Sequence, residues 1–213
     1  MMGSSKLEFH ITLLRHGESK GNAEGYHQGQ AEFPLTEKGR SQAQSLADYW
    51  QKKGVQFSQI ISSPQMRAQE TAVIIAKRLC CEIEFDSIWM ERDNGQYAGM
   101  KHEEAMIRYP YPEYIPIYER IGRTGESQWD LYLRGGKAIQ QLLYKPAGNY
   151  LVVSHGGILN MTLKAILGIV PEANFQGPHF HFRNTAFASL VYKAYPQTWE
   201  VHAINARPHW KET

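Results

Sequence analysis

Cysteine is scarce in this chain. The sequence holds 2 cysteines in 213 residues, and they are adjacent, Cys80 and Cys81. Neighbouring cysteines rarely bridge each other, so the sequence excludes a disulfide framework and fits a reducing compartment. The same scarcity argues against a cysteine-based zinc site. We therefore expect a cytoplasmic protein.

Long apolar runs and a strong charge excess are also lacking. No apolar run approaches the ~20 residues that a membrane-spanning helix needs, and the polar segment 1–6 does not look like a signal peptide. The 23 lysines and arginines nearly balance 21 acidic residues, for a formal charge of +2, whereas nucleic-acid binders usually show a basic excess. The expected partner is a small molecule, with neither nucleic acid nor membrane; a homodimer stays open.

The hydrophobic pattern predicts strands that alternate with helices. Strands are expected at 9–14, 57–62, 82–85, 149–153, 185–192 and 199–204, and helices at about 37–53, 63–79, 127–145 and 157–167. Such alternation indicates an α/β three-layer sandwich, with a mostly parallel central sheet flanked by helices and a final hairpin. We expect one domain over 1–213. Residues 19–34 are predicted as a loop. Residues 92–150 are predicted as a lid or insertion region, most irregular over 93–125.

Two predicted strands are each followed by a His-Gly pair. Arg15, His16 and Gly17 follow the strand 9–14, and His155 and Gly156 follow the strand 149–153. Parallel strands bring their carboxyl ends to one edge of a sheet, where ligands bind. A nucleophilic imidazole beside a second imidazole and an arginine suits the transfer of a phosphoryl group onto nitrogen.

Five segments together resemble the histidine phosphatase superfamily, in its phosphoglycerate-mutase-like branch. The resemblance covers most of the chain and is weakest in the predicted lid. The segments, in family order, are LRHGES at 14–19 with Asn22, PLTEKGR at 34–40, SSPQMRAQETA at 62–72, GES at 125–127 and VSHGG at 153–157.

The resemblance implies a role for each motif residue. His16 is the expected nucleophile, because neutral imidazole is nucleophilic near neutral pH. Arg15 and Arg67 are expected to clamp the phosphate through paired donors. His155 is expected to be a second imidazole, charged beside a bound phosphate dianion, and the Gly156 N–H to be a further donor.

The resemblance also places the general acid just after the third strand. Glu91 fits that place, with Asp93 as a nearby alternative, and Glu18 does not. Asn22 and Gln28 are expected to donate amide hydrogen bonds to phosphate oxygens, and Ser19 is a weaker candidate. His179 and His181 alternate like metal ligands, but no carboxylates accompany them, so we expect neither a metal nor another cofactor.

The same groups serve a phosphatase and a mutase, so the predicted lid must decide between them. Mutases of the family carry an Arg-Arg pair there, whereas this chain has only the separated Arg108, Arg120 and Arg123. Asn94 replaces the usual tyrosine and His102 stands in register with the usual lysine, while Lys101 precedes it. Residues 157–159 also resemble the phosphatase branch. We therefore favour a phosphomonoester hydrolase working through phosphohistidine on a small phosphorylated metabolite.

Two alternatives stay open. The first is a cofactor-dependent phosphoglycerate mutase. The second, which the retained nucleophile and acid disfavour, is an inactive phosphoester-binding module. Tyrosines in the predicted lid fit several kinds of phosphate ester or simply form its core; they are Tyr97, Tyr109, Tyr111, Tyr114 and Tyr118.

Overall fold

A computed structural model describes residues 7–210. Its six-stranded sheet has the order β3-β2-β4-β1-β5-β6. The first four strands in this order are parallel, while β5 pairs antiparallel with β1 and β6 pairs antiparallel with β5. The mostly parallel sheet with a final hairpin is thus confirmed. The strands are β1 (Glu8–Arg15), β2 (Gln59–Ser62), β3 (Ile83–Phe85), β4 (Asn149–Ser154), β5 (Phe187–Lys193) and β6 (Thr198–Ala206).

Helices cover both faces of the sheet. Leu13 and Val152 point into the cluster formed with α5 and α6, and their neighbours Leu14 and Val153 point into the cluster formed with α2 and α3. Successive side chains of a strand face opposite sides, so the unbroken apolar strands feed two cores and produce the three predicted layers. The helices are α1 (Lys20–Ala23), α2 (Glu37–Lys52), α3 (Met66–Leu79), α4 (His102–Arg108), α5 (Gln128–Leu143) and α6 (Gly156–Leu167).

Two sequence predictions of local structure were wrong. Segment 19–34 is not only a loop, because Ser19 caps the short α1 by accepting from the backbone of Asn22. Helix α3 begins at Met66, not near residue 63, because Ser63 Oγ accepts from the backbone of Gln65 and holds a turn before the helix.

Most of segment 92–127 lies outside the three layers. It holds α4 and two single turns around a small cluster of Tyr97, Ala105, Ile115 and Ile121. Helix α5, within the predicted 92–150 region, instead packs into the main core through residues such as Leu131. A single domain with a lid stays a prediction. Within residues 7–210, the helices are all too short or too polar to cross a bilayer.

Candidate active site

The two predicted histidines lie side by side at the carboxyl edge of the sheet. Strands β1 and β4 are neighbours, and Arg15 at the end of β1 is in register with Ser154 at the end of β4. The residues that follow, His16 and His155, therefore meet, with ring centroids 5.1 Å apart. The convergence of the two His-Gly turns follows directly from the strand pairing.

The hydrogen bonds of His16 define which ring nitrogen is available for chemistry. His16 Nδ1 lies 2.6 Å from the carbonyl oxygen of Gly17. A carbonyl only accepts, so Nδ1 carries the proton and Nε2 keeps its lone pair. Burial and the charges of Arg67 and Arg15 hold the pKa of His16 well below its ordinary value of 6.5. The ring is therefore neutral at neutral pH, as a nitrogen nucleophile must be.

The hydrogen bonds of His155 define its tautomer, and the charged ring expected beside a bound phosphate dianion stays a prediction. Its Nδ1 accepts from Nε of Arg67 at 3.2 Å, and its Nε2 is 2.8 Å from Oγ of Ser63. Burial, Arg67 and His16 hold its pKa well below 6.5, so the ring is neutral and donates to Ser63. It has no exposed surface, and a direct phosphate contact would require one of these hydrogen bonds to be exchanged.

Arg67 is held from three sides on the first turn of α3. Its Nη atoms donate to the carbonyl oxygens of Ala31 and Gly29 at 3.0 and 2.8 Å, in addition to the bond with His155. Burial lowers the pKa of Arg67 to about 10, so it stays cationic at neutral pH. Guanidinium has five N–H donors, which leaves donors for an anion in the cavity that Arg67 lines.

Arg15 lines the same cavity and is only partly satisfied. Its Nη1 donates to the carbonyl oxygen of Phe182 at 2.6 Å. Its buried Nε has no hydrogen-bond partner in the part of the chain that the structure describes. Buried polar groups are normally paired, so this orphaned donor fits an anionic ligand. Burial lowers the pKa of Arg15.

The carboxylate of Glu91 lies at the N-terminus of α6. It accepts from the backbone N–H groups of Gly157 at 3.1 Å, Ile158 at 3.2 Å and Arg92 at 2.8 Å. Asp93 instead accepts from the backbone of Gly95 in a turn, and only Glu91 of this pair lines the cavity. Gly156 does not line the cavity. The N–H of the next residue, Gly157, already donates to the carboxylate of Glu91.

Both predicted loop amides line the cavity with their oxygens anchored. Oδ1 of Asn22 accepts from the backbone N–H of Ser19 at 3.2 Å and from Nδ2 of Asn184 at 3.1 Å, and Oε1 of Gln28 accepts from Oγ of Ser19 at 2.6 Å. Their NH₂ groups are left to donate to a ligand. Ser19 itself is fully buried and orients both amides. Glu18 lies apart and accepts from Thr36 and Lys38.

Several supporting residues escaped sequence reasoning. Arg134 of α5 forms a two-bond ion pair with Glu126 and donates to the carbonyl oxygens of Ile88, Met90 and Glu91. It thus holds the segment that carries the proposed acid. Ser63 lies inside the motif at 62–72, and its hydroxyl is the signal that could have identified it as a supporting residue. Arg134 lies in an ordinary helix, and nothing local marks it.

The cavity has a volume of about 490 Å³. None of the three arginines of the predicted lid, Arg108, Arg120 and Arg123, lines it. Its other lining residues include Arg92, Lys164 and three histidines, His27, His102 and His179. Of the predicted lid tyrosines, Tyr111 lines this cavity and Tyr97 is buried in the small cluster.

The histidines at 179 and 181 do not form a shared site. His179 lines this cavity, while His181 lies in another pocket beside Arg183. Over residues 7–210, no three His, Cys, Asp or Glu side chains are grouped to hold a metal ion.

Comparisons with known proteins point to one family. The sequence model of the histidine phosphatase superfamily (branch 1) matches residues 11–207. A relative from Salmonella paratyphi A, named probable phosphoglycerate mutase GpmB, is 36% identical over 189 residues, which cover 86% of this chain and 85% of the relative.

Solved structures share the fold. The mycobacterial glucosyl-3-phosphoglycerate phosphatase in complex with VO3 has a TM-score of 0.77 and 26% identity, covering 93% of this chain and 99% of that one. The alpha-ribazole phosphatase from Shigella flexneri has a TM-score of 0.80 over 96% of this chain and 100% of that one, at 23% identity. At that identity the second likeness shows the fold alone.

Proposed function

Because the chain belongs to the histidine phosphatase superfamily, branch 1, we propose that it hydrolyses phosphomonoesters through a phosphohistidine on His16. One observation carries the proposal most directly. His16 is neutral, with Nδ1 bound to a carbonyl, and it lines the cavity with Arg15 and Arg67. A lone pair on Nε2 among guanidinium groups suits attack on a phosphate.

The first step forms the phosphoenzyme. Nε2 of His16 attacks phosphorus, the bond from phosphorus to the ester oxygen breaks, and Glu91 gives its proton to the leaving oxygen. Arg15 and Arg67 bind the non-bridging oxygens, whose charge they neutralise through paired donors. The NH₂ groups of Asn22 and Gln28 add donors without charge.

The second step regenerates the enzyme. Glu91, now a carboxylate, takes a proton from a water molecule whose oxygen attacks phosphorus, and the bond from phosphorus to Nε2 breaks. Inorganic phosphate leaves, and His16 returns to its neutral form. His155 acts as a positioning residue in this scheme, because it holds Arg67 and turns its other nitrogen to Ser63.

The residues that line the cavity favour hydrolysis over mutase activity. The relative named probable phosphoglycerate mutase supports the alternative, and the mycobacterial phosphatase supports hydrolysis. A mutase must grip its substrate while the phosphoryl group moves. The arginines of the predicted lid do not line this cavity, so the paired-arginine contact of the mutases is missing from it, and water remains the expected acceptor even where other cations hold the substrate.

Assays on paired substrates test the proposal. Purified protein should release phosphate from p-nitrophenyl phosphate, and should release phosphate from 3-phosphoglycerate rather than isomerise it, with or without 2,3-bisphosphoglycerate. Efficient isomerisation with negligible phosphate release would establish the mutase instead. His16→Ala should abolish turnover and the acid-labile phosphoenzyme seen by mass spectrometry. His10→Ala, an exposed histidine of the same strand, is the matched control.

A catalytically silent binding module makes a different prediction. It would bind phosphate esters equally well with and without the His16→Ala change and would show no turnover in either form. We further propose a cytoplasmic location and a small phosphorylated metabolite as substrate. The homodimer is testable by sedimentation equilibrium.

A further inference from the structure

Lys164 lies on the stripe of α6 that faces the cavity. Gly157, Asn160, Met161 and Lys164 all line it, and their spacing is that of one helix face. The stripe begins beside the carboxylate of Glu91 and ends at Lys164. The lysine is 3% exposed as a whole, so the protein covers its stem, whereas Nζ is not among the fully buried atoms without a partner and reaches the far end of the catalytic cavity.

This ammonium group has no partner within residues 7–210. Nζ of Lys164 forms neither a hydrogen bond nor an ion pair there. Burial lowers the pKa of Lys164, and the nearby charge of Glu172 offsets this only in part. Glu172 is exposed and beyond ion-pair distance. A lysine covered by protein is usually paired, and a charge that loses part of its hydration without a partner is destabilising; an anionic ligand in the cavity would supply the missing partner.

The position of Lys164 relative to the catalytic end indicates the size of such a ligand. Lys164 lies eight residues beyond Gly156 in α6, or about 12 Å along the helix axis. Side chains lean toward the helix N-terminus, so the lysine stem shortens the gap to the phosphate site. The distance from Lys164 to the phosphate site therefore suits a phosphate and a second group of one small metabolite.

The charge of the cavity lining supports a second anion. Four lysine and arginine side chains line it, together with one carboxylate, that of Glu91, among residues 7–210; the four are Arg15, Arg67, Arg92 and Lys164. A phosphate dianion and Glu91 together leave at least one of these cations unbalanced. Two of the cavity histidines add no charge at neutral pH, because burial, His102 and Arg92 lower the pKa of His27 to about 4, and burial, His181 and Lys164 lower that of His179.

We propose that Lys164 binds a second anionic group of the substrate, so that the natural substrates are phosphomonoesters that carry a carboxylate or a second phosphate. This inference rests on the proposed function. Arg92 also lines the cavity, where its guanidinium lies 5.4 Å from the ring of Phe175. The neutral part of the substrate then spans the cavity between Lys164 and the phosphate site.

Two pairs of substrates isolate the contribution of Lys164. The members of the first pair, 3-phosphoglycerate and glycerol 3-phosphate, differ by a carboxylate. Those of the second, fructose 1,6-bisphosphate and fructose 6-phosphate, differ by a phosphate. Lys164→Met keeps an unbranched apolar stem and removes the charge. It should lower kcat/KM for the favoured anionic substrate about 10- to 100-fold, the size of a charge-assisted hydrogen bond, mainly through KM.

For the member of each pair that lacks the second anionic group, kcat/KM should stay within about twofold of the wild-type value, the tolerance within which no charged contact has been lost. Lys137→Met, an exposed lysine on the adjacent α5, should change neither pair. Lys164→Gln serves as the second variant if the methionine protein does not fold. Whichever pair responds identifies the second group as a carboxylate or a phosphate.

The inference fails separately from the proposed function. Hydrolysis of p-nitrophenyl phosphate tests the function alone and does not depend on a second anion. Equal loss on substrates with and without the second anionic group, or no loss on either, overturns the role of Lys164 and leaves the phosphatase intact. Calorimetric binding of 3-phosphoglycerate and of fructose 1,6-bisphosphate to His16→Ala, with and without Lys164→Met, tests Lys164 without turnover. Unchanged dissociation constants for both ligands overturn it.

Discussion

Nε of Arg67 donates to Nδ1 of His155 over 3.2 Å. This bond joins the first turn of α3 to the end of β4 and leaves His155 Nε2 to donate to Ser63. The histidine is a neutral partner for a cationic guanidinium, so Arg67 is oriented without having its charge cancelled. An acidic side chain in the place of His155 would hold Arg67 as well but would compete with phosphate for it.

Arg67→Lys should lower kcat/KM for phosphomonoesters about 100-fold or more, although the charge is kept. Lysine lacks the planar fork that donates to His155 and to phosphate oxygens at once. Steady-state kinetics measure the loss. Arg78→Lys, an exposed arginine on the same helix, is the control, and equal activity of the two variants would contradict the proposed clamp.

Gly157→Ala should displace the carboxylate of Glu91, because the added Cβ would lie 2.4 Å from Oε1. An alkyl phosphate needs an acid more than p-nitrophenyl phosphate does, since nitrophenolate leaves readily. We expect kcat/KM, which reports formation of the phosphoenzyme, to fall about 10- to 100-fold on alkyl phosphates, with a much smaller change on p-nitrophenyl phosphate. Gly136→Ala, whose Cβ meets only Ala165 at 3.6 Å, should resemble the wild-type protein. Equal losses on both substrates would argue against Glu91 as the acid.

Arg134→Ala should lower the free energy of unfolding by about 2 kcal/mol, because it leaves Glu126 and three backbone carbonyls without their charged partner. Denaturant unfolding measures the change. Arg120→Ala removes one long 3.5 Å bond from an exposed side chain and should have little effect. Similar free energies of unfolding for both variants would show that the Glu126–Arg134 pair does not hold the segment 88–91.

Stability should rise with pH as the buried histidines lose their protons in the unfolded chain. His16 and His155 have pKa values well below 6.5 in the folded protein, so below pH 6.5 the unfolded chain binds more protons. Their contribution is fully present above pH 6.5 and is lost as pH falls toward the folded pKa values, by up to about 1.4 kcal/mol per pH unit for each histidine. Urea unfolding between pH 7 and 5 measures the slope.

His155→Gln tests the source of that slope, because glutamine does not titrate. The variant should show a shallower dependence of the free energy of unfolding on pH over the same range. A slope as steep as that of the wild-type protein would assign the pH dependence to other groups.

Local sequence patterns were sufficient for the sheet and for the placement of the two histidines. Apolar strands end at Arg15 and Ser154, and parallel pairing alone carries the following imidazoles to one edge. The residues nearest to those strand ends, and Arg67 in its motif, were therefore predictable. The end of α3 was also predicted, whereas its start was not, because a side-chain hydrogen bond of Ser63 decides it.

Residues far apart in the chain needed the folded structure. The choice of Glu91 over Asp93 depends on which carboxylate reaches the N-terminus of α6, some 65 residues downstream, and the spacing 91–93 carries no such information. Arg134 and Lys164 lie in ordinary helical sequence, where a charged side chain is usually solvated.

Sequence alone determined the layered sheet and the family and supplied the proposed nucleophile, because strand periodicity and short motifs encode them locally. Tertiary structure alone decided the neutral ring of His155, the anchoring of the Glu91 segment by Arg134 and the buried, unpaired Lys164. Burial and long-range contacts set the charge and orientation of those groups, and neither the charge nor the orientation can be inferred from the neighbouring residues in the sequence.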